Sequence, residues 1–212
     1  MHWLDNLSLK WKLLGGFGVV LLIVAVQGVI TLRSTAANEH TQEQYADSYE
    51  AIVQSEQVYG AVLTMQSAQR GFLLTGKDSY LEPYSTGWEQ FKNAIASARS
   101  HGAHDAAQVA RYDDIETRVE AWRTDVMDVY IQTRRDVDAG KKMFAELDAL
   151  LASGRAKAEA DAIKAVLMEA EARERELLGE RDQAMIDSST MLSRLVMAGS
   201  GLSVVIGVAV AL

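Results

Sequence analysis

The sequence predicts an all-α protein, an antiparallel four-helix bundle carried between two transmembrane helices. Three observations predict it. Residues 13–32 (LLGGFGVVLLIVAVQGVITL) and 195–212 (LVMAGSGLSVVIGVAVAL) are apolar runs without a charge, each near the ~20 residues that a helix needs to cross a bilayer. Between them the chain is rich in Ala, Glu, Arg, Leu and Gln, all good helix formers, and holds the single proline, Pro83. The apolar residues of that middle segment recur in steps of three and four, and no alternating strand pattern is present.

The runs are taken first. Residues 1–12 form a short tail with Lys10 and Lys12 just before the first span, which favours a cytoplasmic tail. Arg33 and Arg194 lie on the other side of the two spans and weaken that bias by one charge each. Residues 33–194 then start and end at one membrane face, outside the cytoplasm. A cleaved signal peptide with Ser34-Thr35-Ala36-Ala37 as its cleavage site is the competing reading of the first run. Its 20 residues exceed the usual 7–15-residue signal core. The second run would otherwise be a buried core helix, but Gly199, Gly201 and Gly207 suit a packed membrane helix better.

The middle segment carries 28 acidic against 19 basic residues, a net charge of −9. Such a surface repels nucleic acid and anionic headgroups alike. The chain has no cysteine, so the domain is held by packing rather than by disulfides.

Turn signals cut the segment into helices over about 33–75, 79–101, 105–139 and 141–194. Gly76 ends the first, with Asp78 or Ser79 as the next cap and Pro83 in the first turn or so of the second helix. His101-Gly102-Ala103-His104-Asp105 separates the second from the third, again with an Asp cap; Ala139-Gly140 follows the third, and Ser153-Gly154 is a candidate kink in the fourth. Tyr45, Tyr49, Ile52, Tyr59, Leu63 and Leu73 make one stripe on the first helix, and Ala51, Val58, Val62, Met65 and Phe72 make its neighbour. The first of these is read as core or dimer seam. Tyr112, Ile115, Val119, Trp122, Val126 and Val129 make an unbroken stripe on the third, and Ile163, Leu167, Ala170, Leu177, Ala184, Met191 and Leu195 a weaker one on the fourth. Spacing near 3.5 residues marks bundled helices. At ~1.5 Å per residue the circuit closes on the bilayer, with the third-to-fourth hairpin overhanging the first-to-second by roughly 17 Å.

Enzyme chemistry is not expected. Thiol nucleophiles are excluded, and no phosphate-cradling loop or oriented carboxylate pair is present. His101 and His104, three apart in a glycine-containing loop, read as a solvated turn rather than two corners of a metal site. No cofactor and no metal are expected.

The candidate site comes from polar residues that interrupt apolar stripes. Gln66 and Arg70 continue the Tyr45–Leu73 stripe, and Gln69 continues its neighbour. Inward polar groups need partners. One reading is an internal layer, with Arg70 paired to Glu159 or Asp161 and stacked on Trp122. The other is a pocket in which Arg70 grips a ligand carboxylate, walled by Tyr80, Tyr84 and Trp88. Gly71 is read as permitting close helix approach.

The string Gln69-Arg70-Gly71-Phe72-Leu73-Leu74-Thr75-Gly76-Lys77-Asp78-Ser79-Tyr80-Leu81-Glu82-Pro83-Tyr84 resembles the signature of the CHASE sensory domain of the third type. Trp122, Arg134-Arg135, Ser153-Gly154-Arg155 and Glu176-Leu177-Leu178 with Arg181 extend the resemblance over about residues 39–181. It implies a bacterial extracytoplasmic sensor with a helical fold, attached to a chemoreceptor, histidine-kinase or cyclase output. The N-terminal Trp3-Leu4-Asp5-Asn6-Leu7-Ser8-Leu9-Lys10-Trp11-Lys12-Leu13, followed by Gly15-Gly16-Phe17-Gly18, is similar to the opening of many methyl-accepting chemotaxis receptors. The expectation is thus a homodimeric, lipid-embedded chemotaxis receptor that senses a small molecule or a periplasmic binding protein, its cytoplasmic signalling module absent from this chain. A histidine kinase or diguanylate cyclase sensor is the first alternative, and a two-span helical interaction protein without a ligand the second.

Overall fold

The computed structural model describes residues 9–211; the expectations placed on residues 1–8 and on Leu212 lie outside the described residues. Every long element is a helix: α1 (Leu9–Thr75), α2 (Leu81–His101), α3 (Ala106–Trp122), α4 (Asp128–Asp138), α5 (Phe144–Ala152) and α6 (Arg155–Ala211). The protein is all-α. The described residues divide into two compact units, one of residues 9–44 with 180–211 and one of residues 45–179.

The larger unit is the bundle. Its first helix is the part of α1 from Tyr45 onward, its second is α2, its third is α3 and α4 in line, and its fourth is α5 followed by α6 as far as Gly179. One core runs through it, from Val58, Met65 and Phe72 of α1 to Phe91 and Ile95 of α2, Tyr112, Ile115 and Trp122 of α3, and Leu147, Ile163 and Leu167 of the last leg. The Ala51–Phe72 stripe is the core face of α1. Of the neighbouring stripe, Ile52 and Leu73 are buried and Tyr59 packs against the core, while Tyr45, Tyr49 and Leu63 are exposed, so that stripe runs along the edge of the core.

Glycines in the left-handed region end three helices. Gly76 has φ +70° and its N–H donates to the Phe72 carbonyl at 2.7 Å, as a helix-terminating residue without a Cβ readily does. Gly154 (φ +66°) does more than kink the last leg: α5 stops at Ala152 and α6 starts at Arg155. The break is pinned by the Tyr130 hydroxyl, which donates to the Leu150 carbonyl at 2.7 Å. Asp105 caps α3, accepting from the Ala107 N–H at 2.8 Å. Asp78 and Ser79 cap nothing; they sit in a 3₁₀ turn, Asp78–Tyr80, ahead of α2.

Two expectations are corrected. The overhang of roughly 17 Å is absent, because Gly76 lies beside Arg134 and Asp138 at the last turn of α4. The straight-helix count placed the start of the third helix level with the end of the second, whereas Gly102 at the end of α2 lies against Gln108 and Tyr112, so α3 starts lower and rises less far. The unbroken stripe on the third helix is also interrupted. A π-helical turn, Arg123–Met127, joins α3 to α4. Beyond it the buried residues are Tyr130, Ile131 and Thr133, while Val129 is exposed. One extra residue in the turn has rotated the buried face of α4.

The smaller unit pairs the start of α1 with the end of α6. The hydroxyls of Ser34 and Ser188 lie 3.2 Å apart, and Arg181 donates to the Gln44 carbonyl at 2.6 Å. The apolar side chains of its helices are uncovered: Leu14, Phe17, Leu21, Leu22, Leu32, Val204 and Val205 are all exposed.

Candidate functional site

The sequence-predicted residues divide between a closed layer and an exposed face. The layer forms where α1 and α2 meet the π turn. Gln69, buried, donates from Nε2 to the Met127 carbonyl at 3.3 Å. Tyr84, also buried, donates its hydroxyl to Asp128 Oδ1 at 2.7 Å. Burial, then the Asp128 hydrogen bond and charge, push the Tyr84 ionisation well above its ordinary value, against an opposing pull from Arg123. The Arg123 guanidinium lies over the Trp88 ring at 4.5 Å from its centroid, and Phe91 stacks on the same tryptophan at 5.3 Å. Trp122 is buried, with its indole N–H donating to the Ala156 carbonyl at 3.1 Å. Gln66 is half-buried.

Arg70 does not join this layer. It is exposed and forms no pair with Glu159 or Asp161; Asp161 is taken by Lys157. The reason is helical phase. Arg70 follows Leu63 by seven residues and shares its exposed face, while Gln69 and Phe72 occupy the core side. The charged groups at the layer are instead Arg123, set over Trp88, and Asp128, which accepts from Tyr84. Tyr80 is exposed too, its ring laid against Gly71, where an added Cβ would stand 2.3 Å from Tyr80 Cδ1. Gly71 thus seats a ring rather than a helix.

A second polar cluster went unnoticed in the sequence. Glu174 of α6 is wholly buried and accepts from Ser48 Oγ at 2.5 Å and from Gln108 Nε2 at 2.9 Å. The same Gln108 amide donates to the Ala170 carbonyl, and its oxygen accepts from Arg111. His104 Nε2 stands 3.8 Å from Glu174 Oε2, and His101 Nδ1 lies 3.0 Å from Asp47 Oδ1. The turn between α2 and α3 is therefore tied down on both sides rather than simply solvated. Among the described residues no group of three His, Cys, Asp or Glu side chains could hold a metal. The signal that finds Glu174 was present. Ile163, Leu167, Ala170, Leu177 run in steps of three and four with a gap that falls on position 174.

Tyr112, packed below this cluster, has its ionisation pushed up to about 12 by burial; the Ser55 hydroxyl opposes the shift and the Glu174 charge adds to it. The carboxyl of Asp105 is held below the usual range. Burial acts the other way, but the Ala107 N–H and Arg173 outweigh it.

Between α1 and α2 an open groove of about 710 Å³ is lined by Gln54, Gln57, Thr64, Gln90, Asn93 and Ser97, over a floor of Gly60, Ala61 and Ala94. Its lining is uncharged and rich in amides and hydroxyls, a surface suited to hydrogen bonding.

The profile of the CHASE3 domain matches residues 41–184. The fold is similar to the crystal structure of the Rhodopseudomonas palustris histidine kinase HK9 sensor domain, with TM-score 0.52 and 23% identity, over 62% of this chain and 98% of that one. No curated protein matches the chain. The match spans the whole bundle and its Gln69–Tyr84 signature, and by it the chain belongs to the CHASE3 domain family, as a sensory domain of all-α fold.

Proposed function

We propose that the chain is the sensing and transmembrane-signalling part of a bacterial receptor, anchored in the cell membrane by residues 13–32 and 195–212 with the CHASE3 bundle outside the cytoplasm. The observation that carries this reading is α1 itself. One helix, Leu9–Thr75, holds both a charge-free apolar run whose side chains are uncovered and the core stripe of a sensory domain. Uncovered apolar surface on that scale calls for lipid, and α6 repeats the arrangement in reverse order. A signal in the bundle then travels as a small displacement of α1 and α6, provided a ligand or partner favours one of two arrangements.

In this reading the chain performs no catalysis. It works as a homodimer whose seam is the exposed α1 face of Tyr45, Tyr49, Leu63 and Arg70. The layer around Tyr84 and Arg123 transmits strain between helices, and the groove between α1 and α2 meets a small polar molecule or a periplasmic binding protein. The N-terminal resemblance favours a chemotaxis output. The likeness to a histidine kinase sensor domain favours the second reading, a kinase output. Fusing residues 1–212 to the cytoplasmic half of a chemoreceptor, with and without one residue inserted after Asp187, tests the coupling. The insertion turns the following helix by ~100° and is expected to lock or scramble the output. An inserted receptor that responds like the parent refutes coupling through a rigid α6.

A further inference from the structure

Gln27 is the one strongly polar side chain inside the first apolar run, five residues from its Leu32 end. That places it roughly 8 Å inside the run, at a depth where water is not at hand to satisfy an amide. Its Nε2 donates to two successive carbonyls of α6, Leu195 and Val196, both at 3.2 Å. The residue opposite is Gly199. A Cβ there would stand 1.9 Å from Gln27 Nε2 and 2.7 Å from its Cδ, so only a glycine leaves the seat open. Neighbouring carbonyls of a helix differ by one residue, ~1.5 Å along the axis and ~100° around it. An amide shared equally between two of them is therefore sensitive to both sliding and turning of α6.

We infer that Gln27 is a positioning residue that, through Leu195, Val196 and the Gly199 seat, holds the two membrane segments of one chain in their resting register. Any signal that crosses the membrane through α6 must move these carbonyls against it. A polar side chain at this depth without a partner would be strongly disfavoured, which makes the contact directional in a way that apolar packing against lipid-like side chains is not. The inference rests on the membrane reading above and adds to it a specific contact.

The test uses the full chain in native membranes. The protein has no cysteine, so Ser34→Cys paired with Cys at 188, 184 or 192 reports register alone: the Ser34 and Ser188 hydroxyls are in contact, and the other two positions lie one turn to either side. The parent should cross-link preferentially at 188. Gln27→Leu should lower that preference by roughly threefold or more, Gly199→Ala should do the same by displacing the amide, and the double variant should be no worse than either single one. Unchanged preference in both single variants, with the chain still resisting alkaline carbonate extraction, overturns the inference. Release of the parent chain by carbonate refutes instead the membrane reading on which it rests.

Discussion

Deleting Thr124 should leave the bundle folded, although deleting a residue from the middle of a packed helix normally ruins it. The argument is angular. At ~100° per residue, an uninterrupted α-helix would carry Tyr130 ~80° away from the direction of Trp122 and Ile131 to ~180°, the far side. Both are buried, as are Trp122 and Val126, because the π turn Arg123–Met127 takes up one extra residue. Without Thr124, whose side chain is exposed, a plain α-helix puts Tyr130 at about −20° and Ile131 at ~80°, so the core face is kept. The remaining strain is axial. Asp128 moves by ~1.5 Å against the Tyr84 hydroxyl, now at 2.7 Å, which risks one hydrogen bond of about 1 kcal/mol. The control is deletion of exposed Asn93 in α2, which turns Ala94, Ile95 and Ala98 out of the core. Ile95 alone then loses about 1.5–3 kcal/mol of burial, and the total exceeds about 4 kcal/mol with the voids left behind. Urea unfolding of the full chain in detergent, followed by circular dichroism, should place the Thr124 deletion within about 1 kcal/mol of the parent and the Asn93 deletion more than about 1 M lower in midpoint. Equal damage from the two deletions refutes the π-turn account.

Other expectations follow from the same contacts. Glu174→Ala should cost about 2–4 kcal/mol, because Ser48 and Gln108 lose a buried acceptor and a void opens; Glu174→Gln should cost about 1 kcal/mol, since the Ser48 hydroxyl accepts from the new amide, and denaturant titration separates the two. Alkaline stability should fall once pH rises above the unfolded tyrosine value of about 10. Tyr112 is held protonated to about 12 in the fold and Tyr84 is shifted the same way, so the unfolded chain releases protons first. Tyr112→Phe should flatten that decline, read as midpoint against pH. Asp105→Ala should cost about 1 kcal/mol through the lost α3 cap. Asp105→Asn, which keeps an acceptor for the Ala107 N–H, should recover most of it at neutral pH. Because the Asp105 carboxyl is lowered in the fold, its contribution is present above the unfolded value and is lost on acidification through the folded one.

The fold class was legible because it rests on features that a single sequence displays: two uncharged runs, helix-forming composition, three-and-four spacing and glycines at helix ends. Which of two adjacent stripes on α1 faces inward was not. The choice between the faces of Tyr49 and Val58 is made by what α2 and α6 present, and that choice alone sends Arg70 outward and Gln69 inward. The π turn left no mark in the apolar spacing, since Val126 fits either phase and Val129 fits the wrong one. Its neighbours Arg123 and Asp128, which meet Trp88 and Tyr84, were hidden with it. Glu174 was readable by the same rule that singled out Gln69, a polar residue on an apolar stripe, had the rule been carried to α6. Gln27 stood in plain view within an apolar run; what it touches required the partner helix.

The central claim is that the bundle lies outside the cytoplasm between two membrane spans, and single-cysteine labelling in intact cells tests it most directly. Cysteine is placed singly at Ala103, exposed in the turn between α2 and α3, and at Lys10, exposed near the start of α1. A membrane-impermeant maleimide should label position 103 in intact cells and position 10 only after permeabilisation. Labelling of 10 with protection of 103, or protection of both until the cells are opened, contradicts the account.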